Sequence, residues 1–445
     1  MNTAYALLVS LETWKNIGGI LLAIVILLAM VTIHEFGHYV AGKILGFKIT
    51  EFSVGFGLAI FKKRSKKTGE LFALRVIPLG GYCAFDGEDD WGDEEKKEQT
   101  EEDDEDEEEE SQEPFSELKE EKKIADGHTV SEPNVYIADG TEQGEKEGEV
   151  YPIPKGAKFN DQAPWKRIIV LIAGATMNYL LALVLIVVMF TALGRPTYLV
   201  KEIEKEESAA QTAVVLEEEN DAIDPMKTIL PGDCILSVNG RSIYLATDFI
   251  TALSGRKQGE TLDVVVYRQN ASGVGEELGL QITLRTDATF KSMNDYNAVF
   301  TSLGLDDYAL HPEAVKEGFF ASFGHSFGYS VRVGGVILRS LGELLTGKIS
   351  IKSMGGPVTT IKVASEAATS GLQSFLNIAS FIGVNLAVFN LLPIPALDGS
   401  KVVFCIIEWI RKKPINRKVE TIIHFVGIVA LFAFAILVDL LQFVG

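Results

Sequence analysis

The sequence predicts a polytopic α-helical membrane protein of about four transmembrane helices, with a β domain inserted between the second and the third. Four stretches without a charged residue (16–33, 168–194, 367–397 and 421–438) are each about long enough for a helix to cross a bilayer. Between the second and third of these, residues 196–287 alternate short β-branched runs with Gly, Asn and Asp turns, as a small β domain does. The net charge of −20 is local: residues 86–150 hold 29 acidic and 6 basic residues, and the rest of the chain 32 acidic and 35 basic. No basic stripe argues for nucleic acid. The three cysteines, Cys83, Cys234 and Cys405, are too scattered for a disulfide framework or a thiolate metal site.

Residues 1–42 read as the first transmembrane helix. No basic cluster precedes its apolar run and no small-residue cleavage site follows, so it is expected to be retained and not removed as a signal peptide. It ends in Thr32-Ile33-His34-Glu35-Phe36-Gly37-His38. On a helix His34 and His38 lie one turn apart on the same face and can share a Zn²⁺ through neutral imidazoles, with Glu35 beside them as a general base toward water. A buried His pair on an ordinary helix is the plain alternative. The setting disfavours it, because ionisable groups in a membrane-length apolar run are costly and usually functional.

Residues 43–85 read either as a membrane-associated hairpin turning at Lys67-Thr68-Gly69 or as a plain basic loop. Residues 86–157 form an acidic insertion with ten consecutive Asp/Glu at 101–110, expected to be disordered, with a weak cation- or partner-binding tail as the other reading. The second span covers 158–195; its Ala173-Gly174-Ala175 and Asn178 suit close packing between helices. Within 196–290, Pro231-Gly232-Asp233 through Asn239-Gly240 resembles the turn-strand-turn of PDZ domains, which bind peptides by strand addition. Residues 291–366 read as a linker whose apolar stretch 318–347, interrupted by Arg332, Arg339 and Glu343, lies at the membrane interface or at most dips into it. Residues 367–400 form the third span, and 401–445 a basic loop and the fourth.

Basic residues crowd the segment after span one, the entry to span two and the loop before span four. That places these loops and the acidic insertion in the cytoplasm, and both termini and the β domain outside the cell membrane. Spans one and three then run inward together. A catalytic zinc wants a third protein ligand, and Asp398, at the inner end of span three, supplies one at the depth of His34 and His38.

These residues resemble the site-2 protease family of intramembrane zinc metalloproteases, in its PDZ-containing bacterial branch. The resemblance rests on His34-Glu35-Phe36-Gly37-His38, Gly55-Phe56-Gly57, Pro78-Leu79-Gly80-Gly81-Tyr82, Trp165-Lys166-Arg167, Pro231-Gly232-Asp233, Leu345-Thr346-Gly347-Lys348, Gly356-Pro357-Val358, and Asn390 through Gly399. It covers most of the chain outside 86–150, and departs from the family where Gly174-Ala175 stands in place of Gly-Pro. It implies His34, His38 and Asp398 as zinc ligands, Glu35 as catalytic base, and Asn390, Pro393 and Pro395 as part of the substrate-holding segment. The implied reaction is hydrolysis of peptide bonds in or near transmembrane segments of single-pass membrane proteins, pre-cleaved ones among them, such as anti-sigma factors or remnant signal peptides. The hairpin would clamp unwound substrate as a strand. A non-catalytic scaffold binding protein tails through the PDZ-like domain is the alternative function; it would need neither Glu35 nor three ligands. A metal-ion transporter would not need the external domain.

Overall fold

The first helix, α1 (Asn2–Leu45), is the long apolar run extended at its N-terminal end. It belongs to a computed structural model that describes residues 2–88, 135–137, 149–202, 228–269, 275–289, 299, 302–303, 305, 308–351 and 354–444. The chain divides into two compact units, 1–182 with 334–445, and 183–333.

In the first unit α1 packs against α2 (Pro164–Ala192), whose proline occupies the first helical position, where its missing N–H costs nothing. The approach is close: a Cβ on Gly37 would stand 2.4 Å from the carbonyl oxygen of Ala173. Only a small residue lets two membrane helices meet so tightly. At the start of α2 the buried Arg167 pairs with Glu408 of α7 (Asp398–Arg411), and Glu408 also takes Arg417 of α8 (Arg417–Val444) at 3.0 Å. Each of these buried charges is partnered, which a low-dielectric setting requires.

After α1 the chain forms β1 (Ile49–Arg64) and β2 (Leu71–Phe85), an antiparallel hairpin longer than the sequence suggests. Each strand bends at glycines with positive φ, Gly55 and Gly57 in β1 and Gly80 in β2, a conformation side chains with a Cβ resist. The bends let Glu51 to Val54 face Leu71 to Leu74 on one side and Ala84 to Gly81 on the other, so two strands make a sheet four segments wide. Buried Glu70 holds it to α1, accepting hydrogen bonds from Tyr39 Oη and Thr68 Oγ1 at 3.0 Å each and pairing with Lys43.

The acidic insertion, expected to be disordered throughout 86–157, contains a small sheet: β3 (Val135–Ile137) pairs with β4 (Val150–Pro152), where β-branched and aromatic residues concentrate and Tyr151 is buried. Residues 89–134 and 138–148 lie outside the described residues.

The third apolar run is not one helix. α5 (Pro357–Ser370) ends at Gly371, α6 (Leu372–Asn390) follows, and residues 391–397 leave the helix before α7 begins. The expected basic loop after residue 400 is therefore largely helical. Among the described residues four helices are long and apolar enough to cross a membrane: Asn16–Leu45, Pro164–Ala192, Leu372–Asn390 and Arg417–Gln442.

In the second unit a six-stranded sheet runs β10 (Tyr308–Val315), β5 (Arg195–Glu202), β6 (Cys234–Val238), β8 (Thr261–Gln269), β9 (Gly275–Thr283), with β7 (Arg241–Ser242) paired to β6. Helix α3 (Ala246–Leu253) seats Phe249 and Leu253 on its core. The expected boundary at 290 falls short, since β10 completes the sheet from within the presumed linker. Helix α4 (Phe319–Leu345) exposes Phe320, Phe323, Phe327, Val331 and Leu338 on one face and buries Ser322, Ser326, Tyr329 and Val333 on the other.

Asp439, near the end of α8, accepts hydrogen bonds from the Val358 and Thr359 amides and so caps the start of α5. Asp439→Ala should lower the stability of the detergent-solubilised protein by about 1 kcal/mol, the usual worth of an N-cap. Thermal unfolding would register the loss, and metal analysis should find the metal content unchanged.

Candidate active site

His34 and His38 stack one turn apart on α1 as their spacing requires, buried to 8% and 6% exposure. Asp398 reaches them differently from expectation. It does not end a span but opens α7, after the connection 391–397 has turned back; an acidic residue in the first turn suits the helix dipole. That connection is held at Ala396, whose φ is +81° and whose N–H donates to His424 Nδ1 of α8 at 3.2 Å.

The three side chains converge on one point. His34 Nε2 lies 3.0 Å from Asp398 Oδ2, His38 Nε2 lies 3.4 Å from the same oxygen, and the two Nε2 atoms are 3.2 Å apart. Ligands of a tetrahedral zinc with bonds of 2.0–2.1 Å stand about 3.3 Å from one another. Two imidazoles and a carboxylate at these separations fit zinc, and no other group of three such side chains comes together among the described residues.

One face of α2 builds the wall behind them, through residues spaced four apart. The Val170 carbonyl accepts the His38 Nδ1–H at 2.8 Å, leaving Nε2 free to ligate. Gly174 makes room: a Cβ there would lie 2.3 Å from His38 Nε2 and 2.8 Å from His34 Cε1. The Asn178 amide lies beside His34, 3.3 Å from Nδ1. In the sequence Gly174 and Asn178 suggest only helix packing. A small and a polar residue four apart in an apolar span were the available signal.

Glu35 is 9% exposed and lies against the hairpin: a Cβ on Gly81 would stand 3.0 Å from Glu35 Cγ. Gly81 to Ala84 pair with Val54 to Glu51 along one edge and have no strand on the other among the described residues. Asn390 ends α6, Pro393 is exposed in the connection that follows, and Pro395 packs on Gly427 of α8. These three thus shape the connection that delivers Asp398. The cysteines are free and buried; burial pushes the Cys234 and Cys405 thiols up to about 11 and that of Cys83 higher still.

The family model of peptidase family M50 matches residues 22–434, from before the histidine pair to beyond Asp398. The chain belongs to peptidase family M50. Similar relatives include the regulator of sigma-W protease RasP of Bacillus subtilis, 28% identical over 93% of this chain and 96% of its own length. Zinc metalloprotease RasP of Bacillus licheniformis is 28% identical over 92% and 94%, and a putative zinc metalloprotease of Agrobacterium fabrum 28% over 96% and 97%. The M50 protein is a multi-pass membrane zinc metalloprotease with a site-2 protease type of activity.

Two substitutions should separate the metal site from the fold. Asp398→Ala leaves two imidazoles, one protein ligand short, and the purified protein should lose most of its zinc. Gly174→Ala should weaken zinc binding by about 10-fold or more, the range seen when residues around metal ligands are disturbed. Metal analysis after chelator competition reads both.

Proposed function

We propose that this M50 protease hydrolyses peptide bonds in or near transmembrane segments of other membrane proteins, with His34, His38 and Asp398 as zinc ligands and Glu35 as the base. The observation that carries the reading is the convergence of three ligand atoms beside a buried carboxylate and the edge of a β-hairpin. Zinc bound there would polarise the scissile carbonyl and acidify an attacking water. Glu35 would take that water's proton and pass it to the leaving amine. His38, whose Nδ1–H donates to the Val170 carbonyl, would keep its Nε2 lone pair aimed at the metal, and His34 would present Nε2 to the same point.

A substrate helix hides its amides in its own hydrogen bonds, so it has to unwind before it can react. The unpaired edge at Gly81 to Ala84 offers those amides new partners as an added strand, right beside Glu35. An apolar cavity of about 470 Å³ bordered by Leu27, Val31, Gly80, Pro357, Leu386 and Phe434 would take the strand's bulky side chains. Asn390, Pro393 and Pro395 would hold the far side of the substrate. In the proposed topology the active site sits near the cytoplasmic face, and the β domain, read as PDZ-like, lies outside as a filter against substrates with large external domains. That filter suits single-pass proteins already shortened outside, such as anti-sigma factors, or remnant signal peptides.

Glu35→Gln should retain zinc and lose essentially all cleavage of a membrane substrate in detergent, since it removes the base and spares the ligands. Near-normal cleavage with full zinc would overturn the assignment. Removing residues 196–315, the whole sheet of the β domain, should broaden the set of substrates cut without abolishing cutting. A folded, zinc-loaded deletion variant that cuts nothing would refute the filter.

A further inference from the structure

We infer that Asn178 is a positioning residue for the metal site, and that its side-chain oxygen, not its nitrogen, faces His34 and accepts the Nδ1–H. The inference rests on reading His34, His38 and Asp398 as the zinc site.

His34 presents Nε2 to the cluster, at 3.0 Å from Asp398 Oδ2 and 3.2 Å from His38 Nε2. A neutral imidazole that ligates through Nε2 carries its proton on Nδ1. Yet the amide nitrogen Nδ2 of Asn178 stands 3.3 Å from Nδ1, which would set two donors against each other. At the other end of the same amide, Oδ1 is buried with no hydrogen-bond partner. Asn178 itself is 1% exposed, so bulk water does not reach that oxygen. A buried amide oxygen without a partner is destabilising, because it has given up its hydrogen bonds to water. Turning the amide by half a turn about Cβ–Cγ brings the oxygen to the ring nitrogen and takes the amide nitrogen away from it. The oxygen then accepts from Nδ1, and the donor clash is gone; oxygen and nitrogen of an amide are told apart only by such partners.

The other histidine shows the same arrangement. His38 Nδ1 lies 2.8 Å from the backbone carbonyl of Val170. Val170 and Asn178 are eight residues apart on α2, two turns along one face, with Gly174 midway clearing space for the rings. One helix face thus offers each imidazole a carbonyl oxygen, from the backbone in one case and from a side chain in the other. The backbone oxygen cannot be mutated away. The Asn178 oxygen can, and its loss should free His34 to rotate and to take the wrong tautomer.

The test measures zinc affinity by chelator competition on the full chain in detergent, with the visible spectrum of the cobalt-substituted protein as a second readout. Asn178→Leu, similar in size and without an acceptor, should bind zinc about 10- to 100-fold more weakly and shift the cobalt spectrum. Asn178→Asp, which keeps an acceptor and discards the donor, should stay within a few-fold of wild type. A merely structural role would not rank Asp above Leu. Wild-type affinity in the Leu variant would overturn the inference, as would an Asp variant that matches wild type in thermal unfolding yet loses as much zinc as Leu. Should the Asp variant fail to fold, ¹⁵N-histidine resonances of the zinc-loaded wild type decide: a His34 protonated at Nδ1 supports the assignment and one protonated at Nε2 refutes it. A wild type that binds no zinc at all would instead sink the reading of the zinc site.

Discussion

The structure turns on bringing a carboxylate and two imidazoles to one point from helices far apart in the chain. His38 and Asp398 are 360 positions apart in sequence; His38 is buried in an apolar helix, and Asp398 is largely withdrawn from water beside it. Such groups persist only if each finds a partner. The surrounding architecture supplies those partners. α1 and α2 approach across Gly37 so that Val170 and Asn178 can reach the imidazoles. The connection 391–397 abandons the helix so that Asp398 arrives at a helix start and not along a helix side. Arg167, Glu408 and Arg417 then tie α2, α7 and α8 together one layer away.

The legible part of the site was its local part. His34, Glu35 and His38 follow from a four-residue spacing on a helix, which needs no tertiary information. Asp398 was reached by counting the direction of the spans, although its actual support is a helix start that an uncharged run of 31 residues conceals. Asn178 could not be assigned, because an amide in a membrane helix serves packing or hydrogen bonding according to what stands opposite it. The hairpin was half visible: its turn at Lys67-Thr68-Gly69 is a local signal, whereas strands that bend and pair on both sides are not.

The β domain shows the same divide. The turn at Pro231-Gly232-Asp233 reads clearly, and Asp233 explains why, since it accepts the Leu230 amide and pairs with Arg268 at 2.7 Å. Strand β10 is hard to read in the sequence because Pro312 lies within it. Proline is excluded from central strands but tolerated at an edge, and β10 is the edge of its sheet, paired among the described residues only with β5. Helix α7 was hidden for a simpler reason: its basic residues signalled a cytoplasmic loop by charge, and charge says nothing about whether a loop is helical.

The bent hairpin has a consequence for how a protease of this kind would choose its cut. Glu70 fastens the sheet to α1, and Gly81 abuts Glu35, so the free edge of the hairpin and Glu35 are held side by side. A strand laid along that edge can slide only by whole residues, and each single step turns its side chains to the opposite face. Apolar side chains that fit inward at one setting would face the wrong way at the next and fit again at the one after. Secondary cut sites would then fall two residues from the main one, so the spacing of minor products would record the ruler that set them.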